Sequence, residues 1–378
     1  MSALNKVKLL SFILAAMTLL SSCGEKIIEK REEVTSAPES ESESVEFTEE
    51  VETVEMILPV VIPDYINPLS GLGTTEELSD NRSVAVMINN IKEAMPQHGT
   101  SSADVIYECI VEGAQTRLLA VYHDIESAGV IGSVRSAREY FLDFAANHDA
   151  IFVHAGGSEE AYRQIKASKV NNLDGVNMYV PDMFYRDNER RKIMAYEHTL
   201  MTDGQKTVDG IEFKGYRDTA KEDFEGPFDF VPFGEVFVPG GKDAKYVSVT
   251  YSKIHTPYYI YNEENSLYER YQFGGKHGDK NSGEGLAFTN IIIMYAPTYY
   301  TGDEFGHYNV TVTGEGKGVY ITGGQAIDIT WKKPDRATPV TFYTESADEL
   351  QINRGKTFVQ VCTEKMAEKT VISAEIPN

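Results

Sequence analysis

Between Tyr246 and Thr363 one pattern returns nine times: a short stretch rich in Tyr, Ile, Val and Thr, closed by turn residues. The stretches are 246–252, 258–262, 267–273, 289–295, 308–313, 318–322, 326–331, 340–343 and 357–363. β-Branched and aromatic residues fit a pleated, half-buried surface. Turn chemistry at 262–265, 314–318 and Gly323-Gly324 joins strands that are close in the chain. The region 236–378 therefore reads as a mostly antiparallel β domain. The "GEGKG" stretch at 314–318 reads as a hairpin turn, since it lacks the spacing of a dinucleotide-binding glycine loop.

Residues 61–235 have a different rhythm. A Pro- and Gly-rich lead-in, "VIPDYINPLSGLG", precedes strands expected at 84–88, 105–111, 118–122 and 150–154. Helices are expected over about 137–148, over 158–167 and near 187–195. Mixed strands and helices in this order predict an α/β domain, so the fold class is α+β: a mixed α/β domain followed by the β-rich one. Along 105–112, Val105, Tyr107, Cys109 and Val111 fall on one face and Ile106, Glu108, Ile110 and Glu112 on the other.

The segment "GSVRSAREYFLDF" (132–144) carries the main candidate site. Ser136 with Glu139 three residues on fits a capping box, which puts Arg135 before the helix and Arg138 in its first turn. The helix dipole opposes cations there by a few tenths to ~1 kcal/mol each, so something must compensate. One reading is an internal ion network with Glu108 and Glu112. The other is an anion site, in which Arg117, Arg135 and Arg138, with Ser136, hold a carboxylate or phosphate.

The chain as a whole carries a formal charge of −23, which argues against nucleic acid as a partner. Any anion site must be local. Residues 1–23 have a basic start (Lys6, Lys8), a short apolar run and Leu20-Ser21-Ser22-Cys23, which resembles a bacterial lipobox. The apolar run is too short to span a bilayer, which needs ~20 residues. Lipidation of Cys23 would anchor the protein to the membrane on its extracytoplasmic side. Residues 24–60 are dominated by glutamate and read as a disordered stalk. Cys109 and Cys362 are either a pair or two separate buried thiols.

Catalytic alternatives centre on Glu108, Glu112 and His154. Four residues of strand separate the two glutamates by about 13 Å, which excludes them as a mutual hydrolytic pair at ~5–9.5 Å. Either one, with His154 at a strand end, remains a candidate general acid for a cell-wall glycan or peptide hydrolase or lyase. "FVHAGGSEEAY" (152–162) lacks the final glycine of a nucleophile elbow, and Ser158 reads as a helix cap. His277-Gly278-Asp279 lies in a glycine-rich stretch that reads as a solvated loop. There is no H-E-x-x-H, zinc spacing or P-loop, so neither a metal nor a cofactor is expected.

Several stretches resemble one family. "VAVMINN", "MPQHGTSSADVIYECIVEGAQTRLLAVYHD", "IGSVRSAREYF" and "AIFVHAGGS" are similar to the amino-terminal domain of the YerB-like bacterial lipoproteins, a family of unknown function. "YERYQFGGKHGD", "TNIIIMY" and "ITWKK" are similar to its carboxy-terminal domain, and "YEHTLMT" to its stretch around a histidine, here His198. The resemblance implies an envelope lipoprotein with these two domains and supplies no reaction. The function expected is thus a membrane-anchored binding or accessory protein recognising an anionic group: a peptidoglycan stem peptide, a teichoic acid or a wall-synthesis partner.

Overall fold

The structure is a computed structural model that describes residues 60–377. The leader, Cys23 and all but the last residue of the expected stalk lie outside them. Strands β1 (Val84–Asn90), β2 (Val105–Ile110), β3 (Thr116–Tyr122), β4 (Val130–Gly132), β5 (Ile151–His154) and β6 (Asn172–Asp174) come from the first half of the chain. Helices α1 (Glu139–Ala146), α2 (Glu159–Ala167) and α3 (Gly204–Phe213) lie among and after them. The nine stretches of the second half all contain strands, most of them shorter by a residue or more. The described chain is mostly β with few helices.

The main sheet has eleven strands and draws on both halves. Its order runs Lys242–Asp243, Gln325–Lys333, Gly314–Thr322, Asn290–Tyr295, Thr357–Cys362, β2, β3, β1, β5, β6, with Thr341–Tyr343 paired to Gln325–Lys333. The Thr357–Cys362 strand lies parallel to β2, with Val105 opposite Thr357 and Cys109 opposite Val361. The boundary expected at 235 is therefore not a break between sheets. A second, six-stranded sheet is built around Tyr258–Asn262 and Leu267–Gln272.

The alternation of β2 sorts its side chains between two layers. Tyr107 points to the helices, stacking on Phe144 of α1 at 4.7 Å. Glu108 points the other way, to Arg270 of the second sheet. The period of two is as the sequence implies, but every residue of β2 is buried, because the strand lies between two layers rather than facing solvent.

Other local expectations change. The helix near 187–195 is only a 3-10 turn, Arg190–Lys192, whose Arg190 is buried and donates to the carbonyls of Ala94, Pro96 and His198. "GEGKG" is the start of the Gly314–Thr322 strand, and the turn falls at Gly323-Gly324. The α3 helix carries no apolar stripe strong enough to read. It begins after Asp203, whose Oδ1 accepts from Lys206 N at 3.1 Å, and residue 204 is glycine because a Cβ there would sit 2.1 Å from the Ile125 carbonyl oxygen. Ser158 caps α2, accepting from Ala161 N at 3.1 Å. Cys109 and Cys362 are both buried and unpaired.

Because a C-terminal strand fills the middle of the shared sheet, residues 61–235 expressed alone should fail to fold cooperatively. Residues 60–377 should unfold in one transition. Urea titration followed by circular dichroism checks both outcomes.

Candidate functional site

The candidate residues divide between two centres on opposite faces of the main sheet. The first is built on β3, the turn after β2 and the start of α1. Arg117 lies within β3 on the helical face. Glu112 does not share a strand face with Glu108; it sits in the 3-10 turn Glu112–Ala114 after β2. There it accepts from Arg117 Nη2 and, at 3.1 Å, from Arg138 Nε, whose Nη2 also lies 2.7 Å away in the ion pair. Arg138 Nη1 donates to Ala137 O at 2.6 Å, and Arg117 Nη1 to Ser136 O at 2.7 Å.

Ser136 therefore does not cap α1. The helix starts three residues later, with Arg138 in the cap position and no side-chain cap bond. The Glu112 carboxylate sits between two guanidinium groups and meets this end of the helix through the Arg138 side chain.

Arg117 and Arg138 are buried and committed to this network. Arg135 is not. It is partly exposed, its Nε is buried without a partner, and Nη1 reaches Glu197 O at a long 3.4 Å. Burial pushes Arg117 down to about 9, with Arg138 adding to the shift and Glu112 opposing it. It remains a cation at neutral pH. Burial also lowers Arg135, against the pull of Glu112 and Glu197. Two guanidinium groups thus share one internal carboxylate, with Arg135 and Glu197 at the margin.

His198 stands beside them, buried, with Nδ1 accepting from Asn89 Nδ2 at 2.9 Å. Burial first, and then Arg135, lower its pKa, so it is neutral near pH 7. Arg186 stacks on Tyr196 at 3.9 Å on the same side.

The second centre surrounds Glu108, which has no solvent exposure. Oε1 accepts from His255 Nε2 at 2.6 Å, Thr116 Oγ1 at 2.7 Å and Asn90 Nδ2 at 2.9 Å. Oε2 accepts from Arg270 Nη2 at 2.6 Å and Gln360 Nε2 at 3.1 Å. Burial alone would raise this carboxyl, but Arg270 and His255 outweigh it and hold it far below the usual carboxylate range.

Arg270 is likewise sealed. It also meets His277, whose Nε2 donates to Gln97 Oε1 at 2.6 Å. Burial, and next Arg270, push His277 well down, so it stays neutral. The expected solvated loop is thus solvated only in part: Lys276 and Lys280 are exposed, but His277 and Asp279 are buried, Asp279 accepting from Ser101 N at 2.8 Å.

His154 reaches neither centre. It is buried at the end of β5, with Nδ1 on Gly156 O at 2.8 Å and Nε2 on Asn172 Oδ1 at 3.1 Å. Its role there is to hold the 154–157 turn. The Glu108, Glu112 and His154 of the hydrolytic reading are consequently apart, each engaged with other partners. Among the described residues no group of acidic, His and Cys side chains is arranged to hold a metal.

Sequence reasoning missed Arg270, His255, Asn90 and Gln360. The signal that was present was Arg270 itself, a cation in the middle of the alternating strand "LYERYQ" with buried neighbours at every second position.

With this geometry in place, comparison with known proteins identifies the class. The model described as "Protein of unknown function (DUF3048) N-terminal domain" matches residues 69–217, and that of the DUF3048 C-terminal domain matches 247–359. A Bacillus subtilis (strain 168) protein named as a lipoprotein, YerB, is 29% identical over 305 residues, covering 78% of this chain and 85% of the relative. The crystal structure of the YerB protein from Bacillus subtilis superposes with a TM-score of 0.70 at 27% identity, covering 82% of this chain and 99% of that one. The chain belongs to the YerB-like family.

Glu108→Ala should destabilise the protein by about 3–5 kcal/mol in urea unfolding, because it strands a buried guanidinium. Glu112→Ala, at a site with 26% side-chain exposure, should cost less, about 1–3 kcal/mol.

Acid should also weaken the fold in two stages. Below pH ~6.5 the unfolded chain protonates histidines that the fold keeps neutral: His277, and His148, which burial lowers to about 3. Below ~4.3 the unfolded chain protonates Glu108 while the folded one does not. In both ranges the unfolded state binds more protons, so stability rises with pH. Stability measured across pH 3–8 should flatten below pH ~4.3 in Glu108→Gln relative to the wild type.

Proposed function

We propose that this protein is a lipid-anchored binding or accessory protein of the cell envelope, which recognises an anionic group through Arg135 on the helical face of the main sheet. The observation that carries the reading is the state of Arg135: partly exposed, with an unpartnered Nε and one long hydrogen bond. It lies beside two further guanidinium groups that share a single carboxylate. Arg117 and Arg138 act as a fixed positive background, and Glu112 orients them. A planar fork with free donors suits a carboxylate or phosphate.

Anchoring rests on Cys23 and its lipobox-like context, and the relative named as a lipoprotein supports it. Among the described residues no helix is long and apolar enough to cross a membrane. The extracytoplasmic face follows from lipidation after export. The ligand chemistry fits stem-peptide carboxylates, teichoic phosphates or an acidic surface on a wall-synthesis protein. A hydrolytic role is the weaker reading, because Glu108 is saturated by five donors and His154 lies elsewhere.

Arg135→Gln should weaken binding to purified wall fragments by about tenfold or more, since a hydrogen bond to a charged group contributes roughly 1.5–3 kcal/mol. Its urea midpoint should match the wild type. Calorimetry with stem peptides and with teichoic acid, each at two salt concentrations, checks the reading. Equal affinity for wild type and variant would remove Arg135 from it, and no binding of either ligand would remove the wall polymers.

A further inference from the structure

A cavity of about 520 Å³ opens between α3, the chain just after it, and the ends of β1, β3 and β5. Its size falls within the ~300–1,000 Å³ of small-molecule sites. None of its lining residues belongs to either centre described above. Val84, Ile125, Ile151 and Ile211 give it buried apolar walls.

His123, just after β3, lines the same cavity and is only 2% exposed. Both of its ring nitrogens are buried without a hydrogen-bond partner. Burial lowers the pKa of the ring, against the pull of Asp104, Asp124 and the nearby Leu78 carbonyl, which lacks the alignment of a hydrogen bond. Either neutral tautomer offers one donor and one acceptor, and the charged ring offers two donors. Every protonation state therefore leaves a buried N–H unsatisfied. Such groups are rare and call for a partner. A hydroxyl or a primary amide, which can both donate and accept, meets the ring in any of these states.

Charge narrows the choice further. Glu126, Glu212 and Asp218 are exposed lining residues that make no ion pair among the described residues. Arg82, the cation of the lining, is turned to Asp149, which Arg217 and Lys221 also engage. An anion entering here meets three like charges, and an ammonium meets three opposite ones. We infer that this cavity binds an aliphatic primary amine that also carries a neutral hydroxyl or amide group, with the ammonium held by Glu126, Glu212 and Asp218 and the neutral group received by His123.

Calorimetry on the intact chain at neutral pH, in a nonionic detergent, tests the assignment. The probes are ω-aminopentanamide and ω-aminopentanol. The controls are pentylamine, which lacks the neutral group, and pentanamide, which lacks the ammonium. One or both bifunctional probes should bind saturably, and which one does so distinguishes amide from hydroxyl ligands. Each control should bind at least about threefold more weakly, the loss of one neutral hydrogen bond or of a set of exposed ion pairs. His123→Phe should bring the bifunctional probe down to the level of pentylamine and leave pentylamine itself unchanged. Glu212→Gln, at an exposed position, should weaken both amines and spare pentanamide. Val208→Trp, at a half-buried lining position, should abolish binding. The comparison of probes needs no variant, so it decides the matter even where a substitution disturbs folding. No saturable binding of either bifunctional probe, equal affinity for a control, full affinity in His123→Phe, or binding that survives Val208→Trp would overturn the assignment.

Discussion

The contact between Glu108 and Arg270 joins the two largest sheets of the described residues. Each residue is sealed from water, and each lies in the middle of a strand of a different sheet. Taking two charges out of water is costly, and the cost is offset only when geometry and hydrogen bonding are nearly complete. Here they are: the carboxylate receives five donors, drawn from β1, β3, the turn at 252–255, and the Leu267–Gln272 and Thr357–Cys362 strands. A carboxylate that needs five elements in register can be satisfied in only one arrangement of the sheets. The pair therefore specifies the arrangement more than it adds net stability.

How much of this was legible in the chain can be judged from single residues. The nine strand-like stretches were, because alternation and turn chemistry are local properties. So was the Ser158 cap. Pairing was not: nothing local tells Thr357–Cys362 to insert beside β2, about 250 residues earlier in the sequence. The helix start at 139 was misplaced because the Ser136–Glu139 spacing fits a capping box, while the chain stays extended through Arg138, whose side chain pairs with Glu112 in a contact the spacing does not encode. Glu108 and Glu112 looked alike, four residues apart on one apparent face. The chain turns between them, so one enters the core between the sheets and the other closes the helical side.

The two centres also answer the puzzle of arginines at a positive helix end. An internal carboxylate and an open guanidinium coexist there. Glu112 accounts for Arg117 and Arg138, and Arg135 is left half-buried with donors to spare. In a chain of charge −23 this small positive region is what the anion-recognising role proposed above rests on.

Native-state hydrogen exchange tests most directly whether one buried pair makes the two sheets a single unit. Amides of β2, of Thr357–Cys362 and of Leu267–Gln272 should all exchange through the same global opening, with one free energy and one denaturant dependence. Exchange of the Leu267–Gln272 amides through a separate opening of lower free energy, while β2 stays protected, would contradict it.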